Sequence, residues 1–417
     1  MSVNIDKKNV IWNIIGATTN ALNSLVFTII VTRLNGINDA GIFTYSFATA
    51  CLLYVIAVYL GRPFQVTDVT KENSDTDYIY NRIFTCIMML IVSIGFVVIK
   101  GYDIYKSSIF VILCGFKCVE AFSESIYAVI QKHNQLYKVG ISMSSKALIG
   151  MIIFLIIDII TKNLIISSIS VIIVNIIFLI IYDIKNAKKV EIIKTKYSWK
   201  SNTRLLKIGF FAFLINFLGI YLINSPRYAI DDILTNDLQT IFGIIIMPAT
   251  FMGLLGQYII QPLLVNISEN IKNENYKKLK DIIIKIIGMI IILGIGVLII
   301  AYFLEVPVLQ IVYGIELKPY FDSMLIIIAG SILYSIGVVI STILISMRKT
   351  FMQAIIYVIS SIITTILSYN LVKTLEIKGA SITYFVTMLL VAVLFIIYLI
   401  YNMKKYKSKW IKNKGNG

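Results

Sequence analysis

Lys117, Glu120, Glu124 and Gln131 lie at offsets of 3, 7 and 14 residues, which place three ionisable groups and an amide on one face of a helix. The stretch around them is apolar. A charged side chain at bilayer mid-depth costs from roughly 2.5 to more than 10 kcal/mol, so such groups face a bundle interior or a watery cavity. At about 1.5 Å of rise per residue the four form a polar track from mid-membrane toward one edge. Groups of this kind can receive a charged or hydroxyl-rich species and pass it across, so the track points to transport.

Lys146 belongs to the same constellation. Glu124 lies six residues before the end of one apolar run and Lys146 seven residues into the next, so an antiparallel hairpin puts them at similar depth. The expectation is that Glu124 pairs with Lys146, or Glu120 with Lys117, with a proton or a substrate phosphate competing for the cation. The alternative is a static buried pair that fixes helix register. Asn9, Asn13, Asn20 and Asn23, with Gly16, recur at helical spacing in the first apolar run. This amide stripe either lines a cavity or bonds helices together. Asn216, Asn224 and Arg227 cluster at the corresponding place in the second half. Arg33, Arg227, Asp158 and the Asp231-Asp232 pair fall near the opposite membrane face. Arginine there either snorkels to headgroups or grips phosphate oxygens in a bidentate manner.

The elements that carry these residues are membrane spans. Of 417 residues, 58% are hydrophobic and only 14% charged. Runs long enough for the roughly 20 residues of a helical span occur near 9–32, 40–61, 83–99, 107–130, 139–161, 163–182, 205–224, 238–261, 282–303, 320–346, 351–372 and 378–401. The fold class is therefore an all-α polytopic membrane protein of about 12 transmembrane helices, in two six-helix lobes with a central cavity. The loops between spans are short and leave no soluble catalytic domain. The first run is too long for a cleavable signal and carries asparagines, so it is retained as span one.

Cations fix the expected orientation, because Lys and Arg are retained on the cytoplasmic side. With the N-terminus inside, 28 of the 38 Lys and Arg fall in cytoplasmic segments, eight outside and two, Lys117 and Lys146, within spans. Both termini are then cytoplasmic. The formal charge of +16 is a topological signature that also favours anionic lipid headgroups, not nucleic acid. Cys51, Cys86, Cys114 and Cys118 fall inside spans, and His133 is the single histidine, so neither a disulfide framework nor a metal site is expected. No phosphate-binding G-x-x-x-x-G-K-[ST] loop occurs. No cofactor is expected, and work must come from an H+ or Na+ gradient, the membrane potential or the substrate's own gradient.

The charged segment 183–204 reads as a cytoplasmic basic linker between an N-terminal lobe, 1–182, and a C-terminal lobe, 205–403, with a basic tail at 404–417. An offset of 199 residues places Phe43 on Phe242 and Pro63 on Pro262. Halves that begin after an even number of spans share one topology, as in transporters built from parallel repeats.

Taken together, the Asn-rich first span running into Val31-Thr32-Arg33-Leu34-Asn35-Gly36 and Gly41, the Gly61-Arg62 end of span two, Lys117-x-x-Glu120 leading to Gln131, and Asn224-Ser225-Pro226-Arg227-Tyr228 resemble the Wzx-type polysaccharide repeat-unit flippases. These belong to the multidrug, oligosaccharidyl-lipid and polysaccharide exporter (MOP) superfamily, whose fold is MATE-like. The resemblance covers the whole chain; the family's Arg-x-Leu-Gly pattern appears here with Leu and Gly separated. It implies movement of an undecaprenyl-diphosphate-linked oligosaccharide from the cytoplasmic to the outer leaflet of the bacterial plasma (inner) membrane, for capsule or O-antigen assembly. It also implies rocking of one lobe against the other, ion coupling through Glu120 or Glu124, and cooperation with a polysaccharide polymerase and export machinery. Lys and Arg would receive the diphosphate, while Asn, Gln and Glu would replace water on the sugars.

A multidrug or cation antiporter of the same superfamily would share the fold. A membrane polymerase or glycosyltransferase would need a sizeable outer loop, and the larger loops here are on the inner side. On a cysteine-free background, Lys162→Cys and Lys378→Cys should react with an impermeant maleimide added to intact cells, whereas Lys189→Cys should react only after lysis. The reverse pattern would overturn the orientation.

Overall fold

The computed structural model describes residues 2–68, 73–190, 192, 195–260, 263–273 and 275–415, and these are helices joined by short turns. In hydrocarbon every backbone N–H and C=O must be bonded within the chain, which the helix achieves by itself. Among the described residues ten helices are long and apolar enough to cross a membrane. Two more segments bring the number to the expected twelve: Ile104–Lys132, whose charges set it apart, and the second half of a helix broken at Glu376.

In chain order the elements are α1 (Ser2–Leu34), α2 (Ile37–Val58), the short α3 (Arg62–Thr67), α4 (Asp75–Lys100), α5 (Ile104–Lys132), α6 (Leu136–Thr161) and α7 (Leu164–Phe178). A π-helical stretch, Leu179–Ile184, continues α7. Then come α8 (Trp199–Ile233), α9 (Asn236–Ile245), α10 (Met247–Ile260), α11 (Leu264–Lys272), α12 (Tyr276–Tyr313), α13 (Phe321–Ser346) and α14 (Thr350–Gly415). Local sequence sets several boundaries. Ser74 and Asp77 form a reciprocal capping box on α4, and Asp103 and Asn163 cap α5 and α7. Gly101 and Gly314 take the left-handed conformation that closes α4 and α12.

The chain divides into two compact units, Met1–Phe217 and Leu218–Gly417, with the boundary inside α8. The segment read as a linker thus begins within the π-helical stretch, at Asp183, and ends within α8. In the first unit α1 packs most extensively on α6. The two backbones meet where Gly16 faces Gly140: a Cβ on Gly140 would lie 2.1 Å from the Trp12 carbonyl oxygen. Small residues permit such approach between spans. Phe27, Phe43 and Phe154 pack in the core with ring centroids 4.8 to 6.2 Å apart.

The end of α2 is held from α4. Arg82 donates to the carbonyls of Ala57 at 2.6 Å and Leu60 at 2.9 Å, and Thr85 donates to Ala57 at 2.7 Å. These bonds satisfy carbonyls that the helix end leaves without partners. The first half of α8 belongs to the same unit: Asn81 donates to Asn202 at 2.7 Å, and Tyr59 stacks on Phe213 with centroids 4.7 Å apart.

In the second unit the later half of α8 meets α14 through hydroxyls, Tyr221 with Thr365 at 2.6 Å and Ser225 with Ser368 at 2.9 Å. Gly253 and Gly256 let α10 close on Tyr334 and Ser335 of α13, whose hydroxyl at Ser335 donates to the Met252 carbonyl at 2.6 Å. At Glu376, with φ of 48°, α14 turns back, and a Cβ on Gly379 would lie 2.0 Å from the Leu371 oxygen.

The offset of 199 recurs in the helix boundaries. The α1–α2 turn from Leu34 to Ile37 matches the α8–α9 turn from Ile233 to Asn236, and Phe43 and Phe242 are both buried. The copies diverge where Pro248 sits one residue into α10, because proline cannot continue the preceding helix. Pro262 lies outside the described residues. Gly140→Leu should abolish the monodisperse peak of the purified protein, since overpacking costs about 1–3 kcal/mol or more. Gly95→Ala, which meets open space, should leave the peak unchanged.

Candidate functional site

The polar track does lie on one helix, and the first unit gathers partners around most of it. Lys117 Nζ is 2.8 Å from Glu120 Oε2, the pairing expected from sequence. Rings of Phe47, Phe116 and Tyr54 stand 4.8, 5.1 and 5.7 Å from the same ammonium, a cation–π enclosure. The other carboxylate oxygen of Glu120 accepts from Asn20 Nδ2 at 3.0 Å, and Asn20 Oδ1 accepts from Asn23 Nδ2 at 3.0 Å. A single chain of bonds therefore runs Lys117, Glu120, Asn20, Asn23 between α5 and α1. Asn23 Oδ1 is buried at its end with no hydrogen-bond partner.

The expected pairing of Glu124 with Lys146 does not form. Glu124 Oε2 instead lies 3.4 Å from Arg62 Nε, at the start of α3. Lys146 Nζ lies 2.5 Å from Asp183 Oδ2, and also donates to Ser123 at 2.8 Å and Tyr127 at 3.2 Å. Ser142 donates to the second Asp183 oxygen at 2.6 Å. Lys146 points toward the end of α7, where Asp183 in the π-helical stretch meets it. Side-chain exposure is 7% at Lys146 and 0% at Asp183, so this is a desolvated pair bonded to Ser123, Tyr127 and Ser142.

Asn20, Asn23, Glu120, Ser123, Glu124, Tyr127, Lys146 and Asn175 line one cavity, closed by Phe27, Phe116, Met143, Ala147 and Val171. Its free volume is about 20 Å³, room for about one water. That size suits a water, a proton relay or a small monovalent cation among amide and carboxylate oxygens. A sugar does not fit it. Among the described residues no cluster of three or more His, Cys, Asp and Glu is placed to hold a metal ion.

The remaining sequence candidates lie apart. Asn9 accepts from the Tyr137 backbone N–H at 2.8 Å and donates to the Asn134 carbonyl at 3.0 Å, fastening the α5–α6 turn. Asn13 lies at the Gly140 crossing. Gln131 is the penultimate residue of α5, with its Oε1 buried and unpartnered. Arg33 is exposed at the end of α1. Asp158 is buried, accepting from Ser167 at 2.8 Å and Asn35 at 3.3 Å. Asn216 is exposed, Asn224 donates to its own helix at Ile220, and Arg227 is buried 5.9 Å from the Phe242 ring centroid.

Three participants escaped the sequence reading. Asp183 fell just past the sixth apolar run and Arg62, named only in the Gly61-Arg62 motif, just past the second, so both counted as loop charges; Tyr127 went unremarked inside a span. Their signal was position, each within one helical turn of an apolar run that already faced the track. Lys146→Met or Asp183→Leu alone should each destabilise the protein by about 3–5 kcal/mol by leaving one charge buried and unpaired. The double variant should recover most of that loss in thermal unfolding, and equal midpoints for all four proteins would contradict the pairing.

Comparison with known proteins places this geometry. No family profile matches the chain. The capsular polysaccharide biosynthesis protein CapF of Staphylococcus aureus is 24% identical over 382 residues, covering 90% of this chain and 94% of that protein. Among solved structures, a multidrug resistance MATE family transporter of the MOP superfamily superposes with a TM-score of 0.70 at 10% identity, covering 95% of this chain and 99% of the other. A MOP superfamily transporter from Pyrococcus furiosus, described as having a binding pocket of reverse polarity, gives 0.58 at 12% identity with 97% of both chains covered. The eukaryotic MATE transporter AtDTX14 gives 0.62 at 12% with 98% of both. The fold is the MATE fold over nearly the full length. The chain is a helical protein with ten described helices long and apolar enough to cross a membrane and the fold of the MATE transporters, similar over 90% of its length to a capsular polysaccharide biosynthesis protein.

Proposed function

We propose that this protein moves an undecaprenyl-diphosphate-linked oligosaccharide from the cytoplasmic to the outer leaflet of the bacterial plasma membrane, by alternating access coupled to H+ or Na+. The observation that carries this reading is the Lys117–Glu120–Asn20–Asn23 chain, an ammonium, a carboxylate and two amides bonded in series inside an apolar unit. The similarity to a capsular polysaccharide biosynthesis protein over 90% of the chain points to the same class of cargo.

Glu120 is the coupling acid in this mechanism. Its two oxygens are divided between Lys117 and Asn20, so a proton or small cation arriving from the adjoining cavity competes with Lys117 for the carboxylate. Release of Lys117 then frees an ammonium to meet a diphosphate oxygen, which offers a charge-assisted bond of similar strength. Because the cavity holds about one water, it serves the ion and not the glycan. Glu124, bridged to Arg62 where α2 gives way to α3, sits beside it and senses the same field. Lys146 is already committed to Asp183 and acts by keeping α5, α6 and α7 in register. Both termini are assigned to the cytoplasm from the Lys and Arg distribution, and the lobes to 1–182 and 205–403. A polysaccharide polymerase and export machinery are the expected downstream partners.

The test is the leaflet distribution of undecaprenyl-diphosphate oligosaccharide in proteoliposomes holding the purified chain. The native protein should translocate it, and Glu120→Gln and Lys117→Ala should each slow translocation by about tenfold or more, or 1.4 kcal/mol of barrier. Expulsion of cationic dyes without movement of lipid-linked sugar would instead identify a multidrug antiporter.

A further inference from the structure

Glu305 lies on α12 among positions that build the core of the second unit. The buried face of that helix runs through Ile283, Ile286, Ile290, Ala301, Glu305 and Tyr313, so a carboxyl occupies a site where the pattern calls for an apolar side chain. Glu305 is 8% exposed, and neither of its carboxyl oxygens has a hydrogen-bond partner. The other face of the same turn is lipid-like in character, with Tyr302, Phe303 and Leu304 all more than half exposed. Two residues on, Pro307 has no N–H to offer the Phe303 carbonyl, so the helix is weakened at this level.

Among the described residues no counter-charge reaches the site. The elements packed against α12 are α10, α11, α13 and α14. On α13 and α14 the ionisable groups at this end are Asp322 and Lys378, which pair with each other at 3.3 Å and are exposed, and Glu376 and Lys373, also exposed. The Tyr313 hydroxyl donates to Met247 Sδ of α10, and the Tyr302 ring packs edge-on against Phe321 at 5.4 Å. On α10 and α11 lie Tyr258, Glu269 and Lys272, and none of these groups acts on the Glu305 carboxyl. An ionised carboxylate without partner in such surroundings is far too costly to persist, and the inexpensive solution is the neutral acid. A metal cation would need several further oxygen ligands, and among the described residues no cluster of acidic side chains surrounds the site.

We propose that Glu305 is a proton-binding site of the second unit: its carboxyl carries a proton in this packing and gives it up to water only when α12 moves enough to wet the Pro307 turn. The step is the dissociation of one carboxylic acid into a carboxylate and a proton. It adds to the coupling acid of the first unit a second acid, with a different environment and no cationic partner. Its use in transport rests on the ion-coupled reading above, whereas its existence does not.

The test uses the full chain in lipid nanodiscs at neutral pH, treated with dicyclohexylcarbodiimide or with a water-soluble carbodiimide, followed by peptide mass mapping. The reagent requires the acid proton: the carboxyl O–H protonates a carbodiimide nitrogen, the carboxylate oxygen adds to the central carbon, and the acyl group then shifts to nitrogen as a stable N-acylurea. The hydrophobic reagent should modify Glu305 in preference to exposed Glu316 and Glu376, and the water-soluble one should not. Glu305→Gln, which mimics the neutral acid, should fold with an unchanged thermal midpoint and lose the adduct. Failure to label Glu305 with the hydrophobic reagent, equal labelling by the water-soluble one, or a large fall in the midpoint of Glu305→Gln would each overturn the proposal. A chain that moves lipid-linked sugar yet fails to label at Glu305 would leave the transport reading intact and remove this one. Labelling without translocation would do the opposite.

Discussion

Hydrocarbon offers no hydrogen bonds, so every polar group carried into it must arrive with its partner. The rest of this protein follows from that constraint. The backbone meets it by being helical throughout the spans. Side chains meet it in three ways: hydroxyls bond back to their own helix or across to the next, Arg82 spends its guanidinium on carbonyls at a helix end, and Lys117 and Lys146 pair with Glu120 and Asp183. The pairs differ in how completely they are satisfied. Lys146 and Asp183 are saturated by Ser123, Tyr127 and Ser142, whereas the chain from Lys117 ends at an Asn23 oxygen with nothing to accept. A saturated network resists change and an unfinished one leaves room for a guest, and the first unit holds one of each.

The two units use this constraint differently despite a shared ground plan. The first concentrates acids, lysines and amides around one small cavity. The second, matched to it in the positions of its opening helices and of Phe43 and Phe242, joins α8 to α14 with neutral hydroxyls and, among the described residues, buries a single carboxyl, Glu305, without a hydrogen-bond partner. Duplicated frameworks diverge in this way when one copy keeps the polar chemistry and the other is free to simplify.

Much of this was legible in the sequence, for reasons that can be named. Span number followed from the length of apolar runs, and the break at Glu376 falls in the gap between the runs 351–372 and 378–401. The Lys117–Glu120 pairing followed because residues three apart on a helix are neighbours. The pairing of Lys146 did not follow, because sequence fixes how deep a side chain lies and not which way around the helix axis its neighbours stand. Arg62 and Asp183 were hidden by the habit of assigning charges at run ends to loops. Asn9 looked like part of a polar stripe, yet its bonds to Asn134 and Tyr137 show a turn clasp. Amides at helical spacing carry no mark that distinguishes these roles.

The π-helical stretch from Leu179 to Ile184 has one more consequence. A π turn holds one residue more than an α turn, so it shifts everything after it around the helix axis by about 100°. The inward aim of Asp183 therefore depends on a residue count and not on a residue type. A one-residue deletion upstream, within this same turn, would keep every side chain that matters and still swing the acid away from Lys146. In the history of such proteins, insertions and deletions inside a span can make or unmake a buried ion pair in one step, and comparisons that weigh only substitutions would overlook the event.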